Sequence, residues 1–135
     1  MERGTAVRPL FVFVVLALAP LALSQEGDCD SLEKCQEGLK TNRAASLIHF
    51  RLGEIFFAEK KYRPSVNEFR EALNGDLKPK WVEVWAHVNL GKIFDITGQR
   101  DRALDQYRLA IGTGDNTRGA QDEAAKYTEE PYKRD

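Results

Sequence analysis

The chain has 135 residues, of which 42% are hydrophobic and 30% charged, with a formal net charge of −1. That length suits one domain. Acidic and basic residues are interspersed, so no basic stripe points to nucleic acid and no polybasic run to an anionic membrane surface.

Residues 1–24 read as an export signal. Arg3 and Arg8 make a basic start, Leu10 to Leu23 is an apolar run, and Ala22-Leu23-Ser24 supplies a small-x-small cleavage pattern before Gln25. A membrane span needs about 20 apolar residues. This run is shorter, and Pro20 near its end suits a cleaved signal better than an anchor. Removal takes away Glu2, Arg3 and Arg8, a net charge of +1, and leaves −2. The expected membrane contact is this transient one, and the expected compartment is exported, periplasmic or secreted.

The next segment, 25–43, holds both cysteines, Cys29 and Cys35. Six residues along one helix rise about 9 Å, beyond the roughly 4.4–6.8 Å between the α-carbons of a disulfide. A bond therefore requires Cys29 to precede the helix and fold back. Asp30 with Glu33 three residues later is a plausible capping box that would place it there. Separate thiols are the alternative; a redox pair is disfavoured because the spacing is not C-x-x-C.

Two longer segments, 44–78 and 79–116, repeat one another. "IHFRLGEIFF" (Ile48 to Phe57) and "AHVNLGKIFD" (Ala86 to Asp95) share His, Leu, Gly, Ile and Phe in one order, 38 residues apart. The first copy continues with Ser65, Phe69 and Ala72, the second with Ala103, Tyr107 and Ala110 at matching offsets. Apolar and small residues at helical spacing on both sides of a short turn predict a helix–turn–helix hairpin in each copy. Gly98 is well placed for the left-handed residue that ends a helix. After Gly112-Thr113-Gly114-Asp115, a turn rather than a phosphate loop, residues 117–131 predict a last helix with Ala120, Ala124 and Tyr127 on one side and Pro131 as its stop. Residues 132–135 are left as a tail.

Leu52-Gly53, Phe56, the small residue of the second helix and the following aromatic resemble the tetratricopeptide repeat (TPR), whose pattern is W-x2-L-G-x2-Y followed by A-x3-F. Leu90, Gly91, Phe94, Ala103 and Tyr107 repeat the match. Two departures stand out: His49 and His87 occupy the Trp slot, and the closing proline is missing. Counting back from Ser65, Phe69 and Ala72 by the family's period lands on Ser31, Cys35 and Gly38, so 25–43 resembles a half repeat. The resemblance implies an all-α fold, a short right-handed TPR solenoid of antiparallel helix pairs with a capping helix over its end. It also implies that Gly53 and Gly91 lack side chains so that the paired helix can approach.

In that family the other face of each first helix lines a groove for an extended peptide or a partner helix. The corresponding residues here are Leu47, Phe50, Glu54 and Phe57, then Trp85, Val88, Asn89, Lys92 and Asp95. Apolar and aromatic anchors of this kind suit an interface, unless a terminal segment folds over them. Nothing in the sequence resembles a nucleophile elbow, a phosphate loop or a paired-carboxylate site. Two histidines with no third ligand nearby make a weak metal site. The expectation is therefore a non-catalytic protein-binding module without a cofactor, most consistent with a bacterial envelope. The alternatives are a homodimer through the same face and, less favoured, a metal or redox accessory using His49, His87 and the cysteines.

Overall fold

The computed structural model describes residues 28–135; the expected export signal lies outside them. All regular structure among the described residues is helical. In chain order the helices are α1 (Leu32–Thr41), α2 (Ser46–Ala58), α3 (Tyr62–Asn74), α4 (Trp81–Ile96), α5 (Arg100–Gly112) and α6 (Ala120–Glu129), with a 3-10 turn at Thr117–Gly119 before the last. None of these helices is long and apolar enough to cross a membrane.

α1 starts one residue later than the capping-box reading places it. Ser31 has extended backbone, and its hydroxyl accepts the Lys34 N–H at 3.3 Å. Asp30 instead pairs with the Lys34 ammonium at the surface. Cys29 still precedes the helix, and it forms a disulfide with Cys35 across 5.2 Å between α-carbons. Cys35 is buried with Ala45, Ile48 and Leu52 in a small cluster that holds α1 on α2.

The two helix pairs keep one spacing around their turns. α2 ends at Ala58 and α4 at Ile96; α3 begins at Tyr62 and α5 at Arg100, all 38 residues apart. The turns are chemically alike too. Gly98 (φ 73°) donates its N–H to the Asp95 carbonyl and Gln99 to that of Phe94, a Schellman ending. In the first hairpin Lys60 (φ 59°) and Lys61 make the same bonds to Phe57 and Phe56. Lys60 thus adopts a left-handed conformation that its counterpart adopts without a side chain.

α2 and α4 carry buried residues around most of their circumference, whereas α3 and α5 bury one stripe each: Ser65, Phe69 and Ala72, then Ala103, Tyr107 and Ala110. A helix that is apolar all round belongs inside, and a striped one outside. Each helix accordingly packs on the next in sequence, and α4 also touches α2 and α6. The glycines mark where the pairs meet. A Cβ on Gly53 would lie 2.7–2.9 Å from the Phe69 ring, and one on Gly91 2.3–2.7 Å from the Tyr107 ring. The space left by each missing side chain is filled by an aromatic ring from the paired helix. Leu52, Leu90 and Phe94 are buried beside these seats, and Phe56 is half-buried.

The N-terminus of α2 is closed from a distance. Ala45 offers no capping side chain. Asp76, in the loop after α3, accepts the Ser46 N–H at 3.2 Å, while the Ser46 hydroxyl accepts the Leu77 N–H at 2.8 Å. Gly75 makes the approach possible, since a Cβ there would sit 2.5 Å from the Ala44 carbonyl oxygen.

Candidate binding face

The face assigned to a partner by the sequence divides into three parts. Leu47, Phe50 and Val88 are core rather than contact surface, at 3%, 2% and 0% exposure. Phe50 meets Phe69 and Trp81 edge-on, with ring centroids 5.4 and 5.3 Å away. The reason is tertiary: α4 and the rings of α3 close over the side of α2 that an isolated hairpin would leave open.

The second part is an open cleft of about 360 Å³, bounded by Phe50, Glu54, Trp81, Trp85, Asn89, Lys92 and Arg118. Five of the nine residues expected at the face border it: Glu54, Trp85, Asn89 and Lys92 with part of their surface exposed, and Phe50 from within the core. Trp81 and Arg118 were not expected there. Trp81 stands one helical turn before Trp85, and the series Trp81, Trp85, Asn89, Lys92 is a stripe legible in hindsight. Arg118 arrives from the turn before α6 and stacks on the Trp81 ring at 4.8 Å, with Arg51 also over that ring at 5.8 Å. Trp85 donates its indole N–H to the Thr117 carbonyl at 2.9 Å. The cleft is therefore aromatic and cationic, not simply apolar. Arg51 is balanced by Asp28 and Glu54, each at 2.8 Å.

The third part, around Phe57, Lys92 and Asp95, is occupied by the tail of the same chain. The Asp95 carboxylate has no exposed surface. It accepts from Arg100 Nη1 at 3.0 and 3.1 Å, from the Tyr107 hydroxyl at 2.8 Å and from the backbone N–H of Tyr132 at 2.8 Å. Burial, followed by the bond to Asp95, pushes the Tyr107 phenol far above its ordinary pKa of 10. Arg100 also donates to the Tyr127 and Thr128 carbonyls, closing the end of α6. The Tyr132 ring meets Tyr127 edge-on at 5.1 Å and tilts against Phe57 at 6.5 Å. Lys92 Nζ, bonded to Glu123 at 2.8 Å, lies 5.2 Å from the Tyr132 ring centre. Arg134 sits over Phe57 at 4.8 Å and donates to the Phe57 and Ala58 carbonyls at the end of α2. Sequence reasoning stopped at Pro131 and missed Tyr132 and Arg134; the only available signal was an aromatic and a base in a segment otherwise without pattern.

The histidines serve the hairpins. His49 Nδ1 lies 2.8 Å from Glu68 Oε2 and Nε2 lies 3.0 Å from the Arg43 carbonyl oxygen, two acceptors that a doubly protonated ring satisfies. The bond to Glu68 raises its pKa above the ordinary 6.5 despite burial. His87 makes the equivalent contact to Gln106 Oε1 at 2.8 Å. The pairs occupy matching positions in the two copies, with a carboxylate in one and an amide in the other. Among the described residues no three His, Cys, Asp or Glu side chains cluster as metal ligands.

Comparison with protein-family models, with curated proteins and with solved structures finds no match.

Proposed function

We propose that the chain is an exported, non-catalytic protein-binding module, built as a short right-handed stack of TPR-like hairpins capped by α6. The 38-residue correspondence of helix ends, turn bonds, glycine seats and histidine contacts supports the repeat reading. The disulfide is compatible with an oxidising compartment, and a bacterial envelope is the setting the resemblance favours.

The observation that carries the binding role is the open cleft with two indoles, Trp81 and Trp85, in its wall and Arg118 and Lys92 at its rim. Half-buried tryptophans beside cationic groups are the side chains that anchor interfaces. The partner would be a protein segment or helix presenting apolar and acidic side chains, and the binding would use burial and charge rather than covalent chemistry.

A photo-crosslinking residue placed at Asn89 tests this in the producing cell, with the same residue at the exposed Arg108 on α5 as control. The expected outcome is an adduct to a distinct protein at Asn89 that a Trp85→Ala substitution removes. Labelling at Asn89 no greater than at Arg108 would refute the binding role. An adduct only to a second copy of the chain would replace it with self-association.

A further inference from the structure

We propose that residues 131–135 are a ligand held in cis, and that the strip they cover takes a partner segment of the same chemistry: extended, with an aromatic residue followed two positions later by arginine. This rests on the binding role proposed above and names a second subsite for it.

Each feature of the strip selects a feature of the segment. Asp95 is buried and oriented by Arg100 and Tyr107, and its Oδ2 accepts a main-chain N–H. The acceptor thus requires a residue other than proline at that point. Phe57, Tyr127 and the Lys92 ammonium form three sides of a slot for one aromatic ring, since a cation over a ring face favours π systems over aliphatic chains. The last-turn carbonyls of Phe57 and Ala58 carry the negative end of the α2 dipole and accept from Arg134. Lys133 and Asp135, between and after these anchors, are exposed. The segment is therefore recognised at alternate positions, as extended peptides are.

The cis arrangement is also displaceable. The tail leaves α6 at Glu130 and reaches the slot within two residues. A tether that short supplies an effective concentration on the order of millimolar. A free segment with better contacts, or one that also fills the neighbouring Trp81–Trp85 cleft, would take its place. Lys92 lines both subsites, so a single partner could span them.

The test uses the full chain and a Tyr132→Ala/Arg134→Ala variant of it, with a fluorescent peptide of sequence Glu-Pro-Tyr-Lys-Arg-Asp as probe. By anisotropy the variant should bind the peptide with a Kd of about 0.1 mM, and the unaltered chain about tenfold more weakly because its own tail, at an effective concentration of about 1 mM, competes. A peptide with alanine in place of its Tyr and Arg should bind neither. Equal binding to both proteins, no binding to a variant whose helical dichroism is intact, or equal binding of the alanine peptide would overturn the proposal. Should the variant lose its helical signal, the unaltered chain decides: excess peptide should speed hydrogen exchange at the Tyr132 amide, and unchanged protection would overturn the proposal. Failure here with a retained Asn89 adduct removes only this subsite. Peptide binding without any Asn89-specific adduct removes the binding role at the cleft instead.

Discussion

Replacing Gly91 by alanine sets two physical effects against each other with opposite signs. Alanine is the better helix former by about 1 kcal/mol, so local propensity predicts a gain. The new Cβ, however, would fall 2.3 Å from Tyr107 Cε1 and 2.7 Å from Cδ1 and Cζ, closer than any real contact. Tyr107 is fully buried, with the Tyr127 ring centre 5.9 Å away and its hydroxyl fixed on Asp95. Overpacking of this kind costs roughly 1–3 kcal/mol. Shifting the ring also weakens a hydrogen bond to a charged group, worth about 1.5–3 kcal/mol. The net expectation is a loss of about 3 kcal/mol after the propensity gain is deducted. For a domain of this size that lowers Tm by roughly 10–20 °C, read by thermal unfolding in far-UV circular dichroism. A Gly91→Ala/Tyr107→Phe double variant should lose less than the sum of the two single losses, because the hydroxyl bond is lost only once. Gly112→Ala, where a Cβ meets nothing within 4 Å, is the control for propensity alone. An unchanged or raised Tm for Gly91→Ala would refute the claim that the glycine is there to seat the ring.

Two further outcomes follow from the comparison of the copies. Lys60 stands where Gly98 does, at φ 59° against 73°, so Lys60→Gly should stabilise the chain by about 0.5–1 kcal/mol in denaturant unfolding once the glycine's greater unfolded-state freedom is deducted; a loss of stability would refute the shared turn. The raised pKa of His49 means that its contribution is fully present below the ordinary value of 6.5 and fades as pH rises through the folded-state value. Tm should therefore fall across that window, His49→Gln should flatten the fall, and Gln106→Glu should add a second one by giving His87 a carboxylate; an unaltered pH profile in Gln106→Glu would refute the equivalence.

Much of the architecture is visible in the sequence because it depends on short-range spacing. The offsets joining Gly53 to Phe69 and Gly91 to Tyr107 identify which helix faces meet, and the structure places a ring on each glycine. Ala120, Ala124 and Tyr127 likewise mark the face of α6 that packs, with both alanines fully buried. Reach allows Cys29 and Cys35 to pair only with Cys29 ahead of the helix, and there it lies, although the N-cap is Ser31 rather than Asp30.

The binding face is a different matter, because exposure depends on what folds over a helix and not on the helix itself. A helical wheel places Phe50, Val88 and Trp85 on equivalent ground. Only the packing of α2, α3 and α4 buries the first two and leaves the third at an open cleft. Asp95 reads as a surface charge in the sequence, but Arg100 and Tyr107 of α5 and the Tyr132 amide of the tail converge on it. The cap on α2 comes from Asp76, 30 residues away, and the cover on Phe57 from Arg134, 77 residues away. Periodicity reports contacts a turn or a hairpin apart. Contacts between segments with no shared repeat leave no such signature, and those contacts decide which part of this surface is open to another protein.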